Sequence, residues 1–444
     1  MALFPLFLPR EPNAVVSYRD GRAVRVKEFL SDVRALAEQL PERRHVLNLC
    51  LDRYRFSVGL AAAIKRQQVS LLPPSHTFAF LKQLQENYSE VYTLTDSASM
   101  SSPIETLHFP DLSMTGMRED TEIPLFPASQ VVAHVFTSGS TGEPVAHQKS
   151  WGSLVTSALS AGSALGITSL PGAILVSTVP AQHMYGFESS LLLAMQNGLI
   201  WHNKRPFYTE DVFNQIAALP HPRVLVTSPV HLRALLSDAV AIPPVEMVIC
   251  ATAPLSISLA TQAESKFCAP VMEIYGCTES GQVAVRRTTQ GPTWQCMPGV
   301  RLEMLPDGRV VVSGGHVEAE VVLSDVIEIR DSRHFVLGDR HTDLVNIAGK
   351  RTSLTSLNHL LNAIPGVDDG VFVMARESPG KVARLMAFVV SKTLDIETLS
   401  RELRDRVDPV FLPRPLRLVD GLPRDATGKL PRAEIDQIVQ RYEN

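Results

Sequence analysis

The sequence of 444 residues predicts an α/β fold: a large N-terminal domain of parallel βα units plus a small β unit, followed by a small mobile α+β C-terminal domain. Two observations predict it. Short apolar stretches alternate with helical patterns as far as Gly281, as in a mostly parallel sheet covered on both faces. Period-two stretches then follow over 283–338, and a mixed texture begins near Asp339. We therefore expect a first domain over 1–338 and a second over 339–444.

The periodicity of apolar residues places the individual elements. A helix is predicted over 22–40, because apolar residues recur at helical spacing until Pro41, and further helices are predicted over 56–64, 188–195, 354–363 and 399–405. Strands are predicted at the apolar runs 46–50, 131–136, 174–179, 223–227, 245–251, 271–275, 343–347, 371–373 and 386–390.

Composition excludes several classes of protein. With 45% hydrophobic and 20% charged residues, the chain is not disordered, collagen-like or a coiled coil. A net charge of −4 does not favour nucleic-acid binding. The 5 cysteines are scattered without C-x-x-C spacing, which predicts free thiols in a reducing compartment. No apolar run approaches the ~18 residues of a membrane span and the start lacks a basic signal-peptide region, so we expect a cytoplasmic protein without a membrane partner.

A segment rich in glycine and hydroxyl residues follows the predicted strand 131–136. It contains Thr137, Ser138, Gly139, Ser140, Thr141 and Gly142. Glycines allow backbone N–H groups to approach a polyanion, and hydroxyl groups add donors or a ligand for Mg²⁺. The pattern is not that of a Walker-type loop. On these residues alone, a phosphate-binding loop and a flexible surface loop are equally open.

This segment resembles the signature loop S/T-S-G-S/T-T-G-x-P-K of the adenylate-forming superfamily. That superfamily comprises acyl- and aryl-CoA synthetases, peptide-synthetase adenylation domains and luciferases. The match runs from Thr137 to Pro144, but Val145 occupies the place of the usual lysine. Whether Lys149, four residues further on, replaces that lysine is left open.

A second block, Glu273 to Gly281, resembles the Y-G-x-T-E block of the same superfamily. The resemblance implies that Tyr275 stacks on adenine, Thr278 contacts the α-phosphate and Glu279 holds Mg²⁺. It also places Gly276 beside the substrate. Taken alone, a core aromatic residue and a surface carboxylate explain these residues more simply.

Three later blocks follow in the order of the superfamily. Asp325 resembles the aspartate that binds the ribose hydroxyls, and Arg340 resembles the hinge-block arginine that contacts ribose or phosphate, with Thr342 at the hinge. Residues 422–432 resemble the C-terminal block, whose lysine, here Lys429, reaches the reacting carboxylate. Read alone, Lys429 is an ordinary surface lysine.

Residues 180–187 and 250–255 resemble the segments that line the acid pocket of the superfamily. His183 is the candidate that borders the carboxylate. Glu188 is the only acid nearby that could pair with an α-amine, and it fits the following helix, so we expect a carboxylic acid without one. A half-polar wall favours a hydroxylated aromatic acid such as hydroxybenzoate, and the predicted substrate-binding residues are His183, Tyr185, Gly186, Ser228, Thr252, Ala253 and Gly276.

The resemblance implies ATP-dependent formation of an acyl-AMP with ATP and Mg²⁺, followed by transfer to a thiol. Lys429, Glu279, Thr278 and His183 would be catalytic, with Glu279 and Thr141 at the metal. The chain is most similar to compact aryl-acid:acyl-carrier-protein ligases of aryl-polyene and xanthomonadin-type clusters, which implies a phosphopantetheine thiol as acceptor. An acyl- or aryl-CoA synthetase using CoA and an inactive nucleotide-binding regulator remain alternatives. The arginines that could meet an acidic carrier protein are Arg401, Arg404, Arg406, Arg414 and Arg417.

Overall fold

The computed structural model describes residues 2–73, 76–100, 102–112, 121–138, 144–237, 241–340, 344–347, 350–374, 385–425 and 428–443. The chain divides into two compact units. The first comprises Met1–Leu302 and Val312–Val321, and the second comprises Glu303–Val311 and Val322–Asn444. The sequence predicts a boundary between residues 338 and 339, at the start of a mobile C-terminal domain. The two compact units divide at other positions, and the boundary of the mobile domain stays a prediction.

Helices and strands alternate through most of the first unit. Its helices are α1 (Val26–Ala37), α2 (Arg53–Lys65), α3 (Phe78–Asn87), α4 (Trp151–Leu165), α5 (Met184–Gly186), α6 (Leu193–Gln196), α7 (Thr209–Ala217), α8 (Pro229–Ser237) and α9 (Ile257–Phe267). Its strands are β1 (Leu3–Pro5), β2 (Val15–Arg19), β3 (Arg22–Arg25), β4 (His45–Asn48), β5 (Val69–Leu72), β6 (Val91–Thr95), β7 (Thr106–His108), β8 (Leu125–Pro127), β9 (Val131–Ser138), β10 (Pro144–Ser150), β11 (Ile174–Ser177), β12 (Ile200–His202), β13 (Arg223–Thr227), β14 (Met247–Cys250), β15 (Val271–Cys277), β16 (Gly281–Arg287) and β17 (Thr293–Cys296).

Two larger sheets and a small strand pair form this unit. The first sheet has the order β10-β9-β5-β4-β6-β7. All neighbouring strands in it are parallel, except that β10 is antiparallel to β9. The second has the order β17-β16-β15-β14-β13-β11-β12-β2-β3, parallel from β15 to β2. Strands β1 and β8 pair separately. This pairing confirms the parallel βα units that the sequence predicts. Strands such as β13 are buried along their whole length, as expected for a parallel sheet covered on both faces.

The helix predicted over 22–40 is shorter in the structure, where its first residues form a strand. Asp20 and Gly21 have φ values of 50° and 79°, as the central residues of a tight hairpin turn require, and Arg22–Arg25 therefore pair with β2. Helix α1 begins only at Val26. Its buried face, which includes Phe29 and Leu36, packs into the core as the helical spacing predicted.

The predicted small β unit over 283–338 is only partly separate. Strands β16 and β17 extend the large sheet, because β16 pairs antiparallel with β15 and β17 pairs antiparallel with β16. Period-two patterning cannot distinguish this arrangement from an independent sheet. Three further strands form a small sheet: β18 (Val300–Met304), β19 (Val310–Gly314) and β20 (Val321–Val322).

The second unit is α+β, as predicted. Its elements are β21 (Asp325–Ile329), β22 (His334–Arg340), β23 (Leu344–Ile347), β24 (Lys350–Ser353), α10 (Leu354–Asn362), β25 (Asp369–Met374), β26 (Leu385–Val390), α11 (Ile396–Arg406), β27 (Leu416–Leu418) and α12 (Arg432–Glu443). Strands β25, β26 and β27 form one sheet with a core on each face. Phe372 belongs to the core with α10 and α11, whereas its neighbours Val371 and Val373 belong to the core with α12. Within the part of the chain that the structure describes, we find no helix with the length and apolar character needed to cross a membrane.

Candidate functional site

The glycine- and hydroxyl-rich segment joins β9 to β10. These strands are antiparallel, and Thr137 pairs with Val145 in their register. Four of the predicted phosphate-binding residues, Gly139, Ser140, Thr141 and Gly142, lie outside the described residues, as does the metal ligand predicted at Thr141. Of Ser138 the structure describes the backbone, as the last residue of β9. The two strand ends fix where this segment leaves and re-enters the sheet.

The second predicted block forms the hairpin turn between β15 and β16. Cys277 pairs with Gly281, so Thr278 and Glu279 lie in the turn itself. A side chain at Gly276 would overlap with the carbonyl oxygen of Gly281, and Gly281 has a φ of +74°. Glycine is therefore required at both ends of this turn, which presents Glu279 at the surface.

His147 on β10 connects the two segments. Its Nε2 atom lies 2.9 Å from the Thr137 hydroxyl oxygen and 3.6 Å from Glu279 Oε1. Two residues further along the same strand, Lys149 Nζ donates a hydrogen bond of 2.8 Å to the backbone carbonyl of Glu279. The structure thus brings together Thr137 and Glu279, two residues that the sequence predicts to belong to one site.

The electrostatic environment keeps the Glu279 carboxylate ionised. Burial alone raises its pKa, but hydrogen bonds at the turn and the nearby His147 and Lys149 together hold the pKa below its ordinary value. Burial lowers the pKa of His147, so that imidazole is neutral near pH 7. A carboxylate beside a neutral imidazole retains its negative charge for a cation.

The donor set fits a magnesium ion bound together with a phosphate. Within the described ranges, no group of three or more histidine, cysteine, aspartate or glutamate side chains converges as a complete metal cage. Magnesium does not need one, since it is commonly held by one or two carboxylates plus substrate phosphates and water. The ionised, exposed Glu279 supplies such a carboxylate oxygen.

Tyr275 lies just before the turn, on β15. Its half-buried ring packs at 5.7 Å from the ring of Trp294, with an angle of 56° between the planes. The Arg286 guanidinium lies 4.4 Å from the centre of the Trp294 ring. The contact between these two tilted rings holds Tyr275 in place, and the contact of Tyr275 with adenine stays a prediction.

The predicted acid-binding segment after β11 is tightly constrained. His183 begins helix α5, where its Nδ1 atom accepts a hydrogen bond of 3.3 Å from the Tyr185 amide. Gly186 is buried, and a side chain there would overlap with the Pro180 carbonyl. The predicted helix over 188–195 is a π-helical turn, Phe187–Leu192, followed by α6.

Tyr185 uses its hydroxyl group inside the protein. Its O–H proton is shared between the carbonyl oxygens of Thr227 and Ile249, which lie 2.9 and 3.1 Å from the hydroxyl oxygen. These two carbonyls are near the carboxyl ends of β13 and β14. The residue is buried, with 8% of its surface exposed. Tyr185 therefore ties the segment to the sheet with its hydroxyl, whereas the sequence analysis gave it a polar role towards the acid.

Ser228 is fully buried and contacts a histidine that the sequence analysis missed. Its Oγ atom lies 3.1 Å from His231 Nδ1, and Thr178 Oγ1 lies 3.2 Å from the same nitrogen. The imidazole of His231 is half-buried at the start of α8, beside the end of β13. The signal was present in the sequence as a serine and a histidine three residues apart around a predicted strand end.

The other acid-pocket segment follows β14. Thr252 has a φ of +84°, an unusual backbone conformation for a β-branched residue, and Ala253 is half-buried beside it. The segment is anchored by Glu273, whose buried carboxylate accepts hydrogen bonds of 2.9 Å from Leu255 N and 2.7 Å from Arg286 Nε. Glu273 was not predicted, although it opens the block that contains Tyr275.

The second unit contains the remaining predicted residues. Asp325 and Arg340 are register partners on β21 and β22. Lys429 is exposed and lies in a loop anchored by Arg424, which pairs with Asp369 at 2.6 Å and donates to the Gly428 carbonyl at 2.9 Å. The predicted hinge residue Thr342 lies outside the described residues.

Comparison with protein families matches residues 24–322 to the family described as AMP-binding enzyme, and residues 357–429 to the AMP-binding enzyme C-terminal domain. A curated relative, 4-coumarate–CoA ligase from Rhodobacter capsulatus, is 27% identical over 68% of this chain and 75% of its own length. The fold is similar to that of o-succinylbenzoate CoA synthetase from Bacillus subtilis in complex with the acyl-adenylate intermediate, with a TM-score of 0.82, 18% identity and 98% of each chain covered. The same enzyme in complex with ATP and a magnesium ion gives a TM-score of 0.80 at 18% identity, covering 96% of this chain and 97% of that one.

Proposed function

The chain belongs to the AMP-binding enzyme family and is an acyl-adenylate-forming ligase, and we propose that it activates a hydroxylated aromatic acid and transfers it to the phosphopantetheine thiol of an acyl carrier protein. The observation that carries the proposal is the placement of Thr137, His147 and Glu279 within hydrogen-bonding or ion-pair distance of one another. The ends of the phosphate-binding segment and the acidic turn therefore meet at one place, where ATP would bind.

Adenylation requires the acid's carboxylate oxygen to attack the α-phosphorus of ATP, which breaks the bond between the α-phosphorus and the bridging oxygen and releases pyrophosphate, while charge builds up on the phosphate oxygens. The thiol then attacks the acyl carbon and AMP leaves. The hydroxyl and glycine residues of the 137–142 segment would hold the phosphates through donors. Glu279 would hold Mg²⁺, which when bound neutralises part of the phosphate charge. Lys429 would add a positive charge at the reacting carboxylate, and removing one such group typically costs on the order of 10²–10³ in rate.

The residues around the acid pocket support an aromatic acid that carries a hydroxyl group. His183, His231 and Thr252 are each half-buried near the carboxyl ends of β11, β13 and β14. Ligands of such sheets bind at the carboxyl ends of the strands. The imidazole of His231, oriented by Ser228 and Thr178, can serve a ring hydroxyl as donor or acceptor. The relatives named for 4-coumarate and o-succinylbenzoate act on acids that contain a ring.

The arginines of the second unit support an acidic carrier protein as acceptor. Five exposed arginines lie within or after α11, and they are Arg401, Arg404, Arg406, Arg414 and Arg417. Arg406 pairs with Glu402 at 2.9 Å, whereas Arg404 and Arg414 border a shallow pocket that also contains Leu403 and Leu412. Arginines that meet acidic residues of a partner accelerate the encounter.

CoA is the second candidate acceptor, because the relatives are named as CoA ligases. The two acceptors are separated by offering CoA and holo-carrier protein in parallel to the purified enzyme, with the acid that supports the fastest pyrophosphate exchange. Thioester formed on the carrier protein alone supports our proposal, and thioester formed on CoA alone overturns its second step. Absence of acid-dependent exchange with every acid of an aromatic, fatty and amino-acid panel overturns the first step and favours the inactive regulator.

The aromatic assignment is tested with a matched pair of histidine variants. His231→Phe removes the polar group beside Ser228, and we expect the KM for hydroxybenzoate to rise about tenfold, corresponding to one lost hydrogen bond, while that for benzoate changes little. His221→Phe is the control, since His221 is exposed and pairs with Glu246 before the start of β13. Equal effects of His231→Phe on both acids would contradict a hydroxyl-binding role.

A further inference from the structure

We propose that Lys149 is a positioning residue for the metal-binding turn: its ammonium group holds the backbone of Glu279 so that the carboxylate is preorganised for a divalent cation. The inference rests on the proposed function, because it assumes that Glu279 binds the metal of a metal–nucleotide complex. It also answers whether Lys149 stands in for the lysine that Val145 replaces.

Lys149 lies too far along β10 from position 145 to replace the lysine that is missing there. Val145, His147 and Lys149 alternate with their neighbours on the strand, so they share a face. Four residues of extended strand span ~13 Å, which is about twice the reach of a lysine side chain. Val145 is 48% exposed at the end of the phosphate-binding segment, whereas Lys149 is 4% exposed. Lys149 therefore serves a different contact.

The contact that Lys149 makes is specific. Its Nζ atom lies 2.8 Å from the carbonyl oxygen of Glu279, 130 residues later in the chain. A hydrogen bond from a charged donor is stronger than one between neutral groups, and burial strengthens it further. Because the acceptor belongs to the backbone of Glu279, the bond fixes the position from which that side chain extends.

The surroundings of the turn show why an anchor is needed there. Glu279 is exposed, and the turn that carries it is short, with glycine at both ends. On its buried side the turn lies against Glu188 and His316, since a side chain at Gly281 would approach Glu188 Oε1 to 3.0 Å and the His316 ring to 3.4 Å. Ser157 donates to the same Glu188 oxygen at 2.7 Å. Lys149 thus donates to the outward-facing turn and also acts electrostatically on the buried Glu188.

The proposal predicts a defect in metal binding that a general structural role would not produce. In Lys149→Met the side chain keeps its length and loses its charge and its donor. We expect the affinity for Mn²⁺ in the presence of a non-hydrolysable ATP analogue to fall about tenfold or more, as expected for loss of a charged hydrogen bond. Affinity for the analogue without metal should change less than about twofold. Lys149→Arg, which retains the charge and donors, should recover most of the metal affinity.

Metal binding is measured from the electron paramagnetic resonance signal of free Mn²⁺, and analogue binding by calorimetry. Lys266→Met is the matched control, because Lys266 Nζ also donates to a backbone carbonyl, that of Leu236 at 2.6 Å, and it should bind Mn²⁺ like the wild type. If Lys149→Met does not fold, Lys149→Leu carries the same test, because it also lacks the charge and the donor. Unchanged Mn²⁺ affinity, or equal loss of analogue affinity with and without metal, overturns the proposal.

The same series separates this proposal from the proposed function. Acid-dependent pyrophosphate exchange by the wild type tests the adenylation chemistry, and Mn²⁺ binding tests the role of Lys149 without any acid. A wild type that exchanges pyrophosphate beside a Lys149→Met variant with normal metal affinity would reject the positioning role alone. A wild type that binds Mn²⁺ and the analogue but exchanges with no acid would reject the proposed function alone.

Discussion

Asp325 and Arg340 are register partners in the antiparallel pair of β21 and β22. They come from two sequence blocks that were each predicted to contact the ribose or phosphates of a nucleotide. The intervening hairpin turn is closed by Asp331, whose carboxylate accepts from the amides of Arg333 and His334 at 2.8 and 2.9 Å. The pairing of the two strands thus places both candidates at the same end of one hairpin.

Replacement of Asp325 by alanine is expected to weaken ATP binding about tenfold, because a carboxylate that accepts two ribose hydroxyls contributes charge-assisted hydrogen bonds. The KM for the acid should stay within about twofold. Glu328→Ala is the control on the same strand, since Glu328 is exposed and pairs with Arg330. Calorimetric titration with ATP measures the effect. Unchanged affinity in Asp325→Ala would show that the ribose block was misaligned.

Lys429→Ala is expected to separate the two half-reactions. Adenylation, measured by pyrophosphate exchange, should fall about 10²–10³-fold, because the ammonium group stabilises charge only in that step. Thioester formation from preformed acyl-adenylate should be nearly unchanged. The anchor of the loop, Arg424 with Asp369, is retained in this variant. An equal fall of both half-reactions would argue against a domain that changes position between them.

Glu273→Gln is expected to lower the free energy of unfolding by about 3 kcal/mol, as for other broken buried ion pairs, and to raise the KM for the acid more than that for ATP. The carboxylate holds the amide of Leu255, which ends the acid-pocket segment. Urea unfolding and steady-state kinetics measure the two effects.

A matched control lies one helix away from Glu273. Glu264 also accepts from a backbone amide, an arginine and a threonine, namely Val271, Arg287 and Thr289, but it does not touch the acid-pocket segment. Glu264→Gln should therefore destabilise the protein and leave the KM for the acid unchanged. The same rise in that KM for both variants would exclude a specific role for Glu273.

Glu188→Gln is expected to change how stability depends on pH. Burial raises the pKa of Glu188 to about 7, against the lowering effects of Ser157 and the Lys149 cation. The unfolded chain releases this proton near 4.5, so between about pH 4.5 and 7 the folded state holds one proton more. The free energy of unfolding should therefore fall by about 3 kcal/mol across that window as the pH rises.

The glutamine variant lacks this titration. Urea unfolding of wild type and Glu188→Gln at pH 5, 6, 7 and 8 should give a difference that shifts in favour of the variant up to about pH 7 and is constant above it. Titration of other groups cancels in this difference. Two parallel curves would mean that the buried carboxyl group ionises in the folded protein at its ordinary pKa.

Local patterns predicted the elements of the fold well where burial alone decides the structure. Strand β13 coincides with its predicted bounds, and the strands predicted at 46–50 and 271–275 lie within two residues of those observed. The pattern was insufficient where a partner decides. Arg22–Arg25 were included in the predicted helix over 22–40 yet pair with β2, and residues from 283 onwards were predicted to form a separate β unit, yet β16 continues the large sheet.

The candidate site was predicted through residue types rather than contacts. Sequence order assigned Thr137 and Glu279 to one site, and the structure brings them together through His147. His147 itself carried no signal, because its role depends on a neighbour more than 130 residues away that only the paired sheets bring close. The hydroxyl group of Tyr185 is used by the backbone of the sheet, which residue type alone could not reveal, and the contact of this residue with the acid stays a prediction.

The left-handed backbone at Thr252 has a consequence for engineering the range of acids. A β-branched side chain is disfavoured in that conformation by about 1–3 kcal/mol, so the surrounding contacts impose it. Thr252→Gly would relieve the constraint, and we expect it to raise the melting temperature while freeing the predicted wall of the acid pocket to adapt to bulkier rings. Thermal robustness and the range of acids should therefore change in the same direction at residue 252, and a screen there should recover variants in which both increase.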